Sequence, residues 1–290
     1  RQARNVYDDA VKQIMTTDRR TFDATTGLWK HAWDETHSVF WADKTTGQSQ
    51  HTWARALGWY AMAITEVLDV LPENYARRAE LQQLLQKVMT AVVKYQDGKS
   101  GVWYDVMDVN DPRNYLESTA SCMFAYVLLK GVRTGNLPKS ANVDGRSVDY
   151  LSAGIKAYEG ILRHFIRVND DKTISLTHCC AVSGLGPGPG PLVKKPNYKR
   201  DGSFDYYISE PIRDNDAKGV GPFIWASLEM EALHESQKTA GYYIAKPGDA
   251  QSVLDIFHTI ADTESKCQRI KIFLPNGVYD FGNMTEQTFP

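Results

Sequence analysis

A chain of 290 residues with 42% hydrophobic and 23% charged side chains has the composition of a globular protein with a sizeable core. Its formal charge of −2, with 33 basic and 35 acidic residues dispersed along it, excludes the basic footprint of a nucleic-acid binder. Its apolar runs stop well short of membrane-spanning length, so no membrane partner is expected.

In chain order, Val6, Ile14 and their neighbours suggest a first helix over 4–17. The segment Gly27-Leu-Trp-Lys-His31-Ala-Trp-Asp34 follows, and it recurs as Gly101-Val-Trp-Tyr-Asp105-Val-Met-Asp108. A recurrence between amphipathic stretches predicts repeated helix–loop–helix units. Loops of one kind emerge at the same end of successive pairs, so their side chains can converge on one site. Two Trp and a His beside a carboxylate make the first copy resemble the wall of a sugar pocket, although most of the seven Trp and fifteen Tyr are expected in the core.

Leu57, Tyr60, Ile64, Val67, Leu68 and Leu71 form a single helical stripe that Pro72 closes. Leu81, Leu84, Leu85, Val88 and Val92 mark the next helix, and the run around Met123–Leu129 a third. Leu151, Ile155, Tyr158, Leu162 and Phe165 mark a fourth, and Pro222–Glu235 a later one. The order reads as three units: 4–17, 27–52 and 53–71; 75–96, 101–116 and 117–134; 147–168, 175–218 and 220–235. That is the plan of an α/α barrel, with an α-solenoid as the alternative. If inner helices lack neighbours, the Leu57/Ile64 stripe is expected to lie exposed and drive association.

Asp249–Thr263 suggests a short helix, and Arg269–Phe281 alternates polar and apolar residues around an Asn276-Gly277 turn signal. A domain boundary is expected near 240–248, separating 1–240 from a β-type tail over 248–290. Cys122, Cys179, Cys180 and Cys267 show no metal-ligand spacing and are expected to be free buried thiols.

Arg55 and Trp59 are i, i+4 neighbours at a helix start, which suits an anionic sugar: the guanidinium for a carboxylate, the indole for the ring. A structural cation–π pair packing a loop is the alternative. His31 with Asp34-Glu35 could supply acid–base groups, or His31 could sit under a loop as a structural residue. His31, His37 and His51 form no metal pattern. The Gly/Pro-rich stretch Thr177–Pro191 is a rim loop, because its prolines remove the N–H donors a phosphate loop needs.

His31-Ala-Trp-Asp-Glu, Trp41-Ala-Asp, Trp53-Ala-Arg-Ala-Leu-Gly-Trp59, Asn114-Tyr-Leu-Glu-Ser-Thr-Ala-Ser-Cys-Met-Phe124 and Tyr207-Ile-Ser-Glu-Pro…Lys218-Gly-Val-Gly221 occur in order on these loops. Together they resemble the unsaturated rhamnogalacturonyl hydrolases, glycoside hydrolase family 105, over about 1–236. The resemblance implies an all-α, six-hairpin α/α barrel, of which about three hairpins are visible. It also implies a glycosidase without metal or cofactor that removes Δ4,5-unsaturated galacturonyl residues from pectin oligosaccharides by hydrating the enol ether. His31, Trp53, Arg55 and Trp59 would bind the uronate, while the catalytic Asp would lie upstream of His31, leaving this chain inactive alone. Asp34 and Asp105 do not match it. The tail from Gly248 resembles the opening of a pectin methylesterase β-helix, implying a second pectin-active domain in the parent chain. A periplasmic or secreted location is favoured over a cytoplasmic one. The alternatives are an unsaturated glucuronyl hydrolase or other α/α-barrel sugar enzyme, and a non-catalytic glycan-binding helical module.

Overall fold

The computed structural model describes residues 2–187, 199–239, 242–262 and 271–281, so Cys267 and part of the Gly/Pro loop lie outside the described residues. The chain divides into two compact units, 1–227 and 228–290.

In the first unit, α1 (Gln2–Thr21) leads into the two-residue pair β1 (Phe22–Asp23) and β2 (Leu28–Trp29). The recurrent loop motif is turn chemistry. Gly27 donates its N–H to the Asp23 carbonyl, and Gly101 to the Asp97 carbonyl. Both glycines sit at positive φ (76° and 81°), where a side chain would be strained. The Trp two positions later turns inward each time. Trp29 donates to Asp18 at 3.0 Å, and Trp103 donates to the Val92 carbonyl at 2.7 Å and packs edge-on against Phe124. The expectation that the first copy walls a sugar pocket therefore fails for Trp29, which is core.

Helix α2 (Ala54–Val70) ends before Pro72, and α3 (Arg78–Lys94) follows it. α4 (Ser118–Arg133) starts at an N-cap, Glu117, whose carboxylate accepts the Ala120 N–H. It is buried from Ser118 to Gly131, packed between α2 and the later α5. The Leu57/Ile64 stripe is buried as well, against these neighbours. The expected exposure of that stripe does not occur.

A hairpin, β3 (Ser140–Val143) and β4 (Arg146–Asp149), turns at Asp144-Gly145, both at positive φ, as a primed two-residue turn requires. Asp149 then caps α5 (Tyr150–Phe165) through the Ser152 N–H. β5 (Ile166–Val168) pairs with β6 (Ile174–Leu176). β7 (Cys179–Cys180) pairs with β8 (Ile212–Arg213), with the single turn α6 (Phe204–Tyr207) between them in sequence. α7 (Ala217–Thr239) closes the third helical pair, starting five residues before Pro222.

Glycines set the closest approaches. A Cβ on Gly160 of α5 would stand 2.4 Å from the Ser100 carbonyl oxygen, which is backbone and cannot turn aside. Gly160→Ala is expected to cost about 1–3 kcal/mol by forcing α5 off the second loop. Urea denaturation checks this, and an unchanged midpoint would mean the two elements have slack.

The second unit holds β9 (Tyr242–Ile244), α8 (Ala250–Asp262) and β10 (Lys271–Phe273). β9 and β10 pair in parallel, Tyr242 with Lys271 and Ile244 with Phe273. Parallel neighbours need a crossover, and α8 lies between them in sequence as that connection. Asn276-Gly277 joins no pair of strands among the described residues.

Candidate functional site

The loops of the three helical pairs meet at Trp53, the residue just before α2. His31 comes from the first loop, and its ring lies 4.9 Å from the Trp53 indole. Tyr207, from α6, stacks on Trp53 at 6.4 Å and is hydrogen-bonded through its hydroxyl to His31 Nδ1 at 2.7 Å. The second loop closes the other edge, where Trp53 Nε1 donates to Asp105 Oδ1 at 2.9 Å.

Arg55 occupies the first turn of α2, only 1% exposed. Its guanidinium lies 4.5 Å over the Trp53 ring and donates to the Cys180 carbonyl. The pairing with Trp59 expected from i, i+4 spacing is replaced by this contact. Trp59 points outward, 45% exposed, one turn further along. His31, Trp53 and Arg55 thus come together, and Trp59 stands apart.

Glu117 ties the second and third loops behind this group. One carboxylate oxygen accepts the Ala120 N–H at 2.7 Å and the other the Cys180 N–H at 2.9 Å. Asn114 braces the second loop, donating to the Val106 and Val109 carbonyls. The Gly/Pro-rich stretch read as a rim loop therefore begins with β7, whose backbone engages both Arg55 and Glu117.

Burial favours the uncharged forms of the groups here. The His31 pKa is lowered to about 4 by burial and then by the Arg55 charge, so its imidazole is neutral at pH 7. Asp105 is pushed up to about 8 by burial and then by Glu117, so its carboxyl group is protonated at pH 7. Burial also raises the Tyr207 hydroxyl and the Cys180 thiol. The result is an aromatic wall with one guanidinium and an uncharged imidazole, suited to a ring that carries a carboxylate.

Asp34 does not join His31 as an acid–base partner. Its carboxylate accepts the Ser38 and Val39 N–H groups at 2.8 and 3.1 Å, which hold it below the usual carboxylate range. The same first loop lines a cleft of about 450 Å³ formed by Lys30, Trp41, Asp43, Gln48 and Gln50. Lys30 there bridges Asp23 and Asp108 at 3.2 and 3.0 Å.

Sequence reasoning missed Tyr207 as a member of the group, and Cys180 as the carbonyl that Arg55 engages. Tyr207 opened a motif that was noted, but its contact with His31 spans 176 positions and has no local periodicity.

Known proteins resemble this chain over most of its length. The signature of Glycosyl Hydrolase Family 88 matches residues 1–234. The "24.9 kDa protein in picA locus" of Rhizobium radiobacter is 37% identical over 229 residues, 79% of this chain and 92% of that protein. The unsaturated rhamnogalacturonyl hydrolase YesR of Bacillus subtilis is 28% identical over 123 residues, 42% of this chain and 33% of that protein. Among solved structures, a family 105 glycoside hydrolase of C. acetobutylicum superposes with a TM-score of 0.70 at 42% identity, over 79% of this chain. A possible family 105 member from Salmonella enterica gives 0.56 at 27% identity, over 76% of this chain. The chain spans 59% and 48% of the lengths of those two structures. The fold is the α/α barrel of these hydrolases, which decides against a solenoid. By its signature over 1–234 and its helical hairpins, the chain belongs to Glycosyl Hydrolase Family 88, a family of glycosidases, with solved neighbours in family 105.

Proposed function

We propose that this chain binds the Δ4,5-unsaturated galacturonyl end of pectin oligosaccharides for a hydrolase that removes it by hydrating the enol ether. The observation that carries this reading is the cluster of His31, Trp53, Arg55 and Tyr207, in which a guanidinium is set against stacked aromatic rings. The name of YesR supports the same substrate class. Arg55 faces the uronate carboxylate, Trp53 the ring, and neutral His31 the hydroxyls. In the reaction, a carboxylic acid protonates C4, water adds at C5, and the hemiketal opens to release the aglycone.

Neither nearby carboxyl serves as that acid. Asp105 is committed to the Trp53 indole N–H, and Asp34 is taken up by its own loop. The chain by itself is therefore read as binding the uronate without turning it over. Incubation with the unsaturated galacturonyl-rhamnose disaccharide tests this through the enol-ether absorbance. A steady band with measurable binding is expected; decay of the band would place the acid within this chain. Loss of binding to this sugar with retention of a chondroitin-type disaccharide would move the reading to an unsaturated glucuronyl hydrolase.

Trp53→Phe, which keeps a ring and loses the indole N–H, is expected to weaken binding about tenfold, or about 1.4 kcal/mol. Calorimetric titration reads it, and wild-type affinity in the variant would remove Trp53 from the wall. The segment from about 248 onward is read as opening a second, β-rich domain of pectin methylesterase type. The parallel pairing of β9 and β10 supports this, since parallel strands call for further coverage.

A further inference from the structure

We propose that the first unit pairs with a second copy of itself about a twofold axis, the open side of α2 in each copy lying against the open side of α7 in the other. Two copies then close the ring of helical pairs that one copy leaves open.

The second helices of the three pairs are α2, α4 and α7, and α4 lies between the other two. Its Tyr126 donates to Glu66 of α2 at 2.6 Å and packs on Trp225 of α7 at 5.3 Å. Of these three helices, α2 and α7 thus each have α4 on one flank and none on the other. On α2 the Leu57/Ile64 stripe faces the core, and a second stripe is left over. Ala56, Trp59, Ala63, Glu66 and Val70 recur at i, i+3, i+7, i+10 and i+14, and all are exposed or half-buried, Val70 to 63%. Glu66 does not make this face acidic. Lys130 of α4 holds it at 2.9 Å and the nearby Asp69 at 2.6 Å, so both carboxylates are drawn onto α4 and the stripe stays apolar.

The start of α7 repeats the arrangement. Ala217, Gly221 and Ile224 share one side at i, i+4 and i+7; Ile224 is 51% exposed, and a Cβ on Gly221 would meet nothing within 4 Å. Single exposed apolar residues are ordinary, but an aligned stripe at each end of a row of helices marks a contact surface. Both stripes carry small residues (Ala56 and Ala63, Ala217 and Gly221), which let two helices approach closely. Length identifies the occupant. The chain spans 59% and 48% of the two solved relatives, which therefore have further chain with which to cover such edges. The 24.9 kDa relative of Rhizobium radiobacter has no such surplus, since this chain matches 92% of it. A protein of that size with this fold must cover both edges with another molecule, and a second copy offers each stripe its counterpart. A twofold axis makes the α2–α7 contact twice and leaves no edge free, so the assembly closes at two.

Sedimentation velocity of the whole chain, from about 1 to about 100 µM, is the test. Wild type is expected to reach a single species of twice the 32.7 kDa of one chain. Ala63→Arg on α2 and Ile224→Arg on α7 change exposed positions of the single copy, so each should keep its far-ultraviolet circular dichroism and urea midpoint. Each should weaken pairing by at least about tenfold, because the new charge is buried without a partner in the pair. Mixing the two variants in equal amounts should recover pairing, since one of the two α2–α7 contacts is then unaltered. A wild type that stays single at the highest concentration overturns the proposal, as does one that grows into a ladder of larger species. Variants that pair like wild type place the contact elsewhere and overturn it too. Variants that lose pairing and do not recover it on mixing show like edges meeting, α2 on α2 or α7 on α7, and contradict the closed ring.

Discussion

Arg55→Ala is expected to destabilise the protein by about 3–5 kcal/mol, the range for stripping a partner from a buried charged group. Arg55 is among the largest fully buried side chains. Its removal leaves a void against Trp53, an unpaired Cys180 carbonyl, and Glu117 beside Asp105 without the neighbouring cation. Arg55→Lys keeps the charge and loses the flat guanidinium over the indole, so it should fold with an intermediate loss. Urea denaturation of the two variants measures both effects. A loss below about 0.5 kcal/mol for Arg55→Ala would mean the guanidinium is a surface-like group available wholly to ligand. The expected result makes Arg55 a structural brace of the group around Trp53.

The second large effect is on the pH dependence of stability. Asp105 has a folded pKa of about 8 against an ordinary value of 3.8, so its stabilising contribution is complete below 3.8 and is lost as pH rises towards 8. His31 runs the other way: its folded pKa is about 4 against 6.5, so its contribution is present above 6.5 and lost as pH falls towards 4. Each contributes a slope of about 1.4 kcal/mol per pH unit, and from pH 4 to 6.5 the two slopes cancel. Between 6.5 and 8 only Asp105 acts, costing about 2 kcal/mol by the same arithmetic. Asp105→Asn should abolish that loss and be the more stable protein at pH 8. Denaturant midpoints of both proteins at pH 6.5 and 8 decide it; parallel curves would show that Asp105 is ionised or solvated at neutral pH.

The helices were legible because their apolar residues repeat at helical spacing, and α4 because of its apolar run around Met123–Leu129. Boundaries were less so. α7 starts at Ala217, ahead of Pro222, since Asp216 accepts the Lys218 N–H and fixes the first turn. The hairpin at Asp144-Gly145 went unread although its turn residues announce it. In the candidate site, His31, Trp53 and Arg55 come from local motifs. Their partners came from distant chain: Tyr207, Cys180 and Asp105 reach Trp53 or its neighbours across 52 to 176 positions, which no local period encodes. Local spacing also misled. It paired Arg55 with Trp59, whereas the guanidinium chose the indole that Asp105 holds in place. The recurrent Gly-x-Trp loop suggested a sugar wall, but what the two copies share is an Asp–Gly turn and an inward Trp, and of the proposed binding residues only His31 belongs to the repeat.

Calorimetric titration of this chain with the unsaturated galacturonyl-rhamnose disaccharide and with its methyl ester tests the central claim most directly. The account predicts binding of the free acid, loss of at least tenfold on esterification, and a comparable loss in Arg55→Lys. Equal binding of acid and ester, or an Arg55→Lys protein that binds like wild type, would contradict recognition of the uronate carboxylate by Arg55.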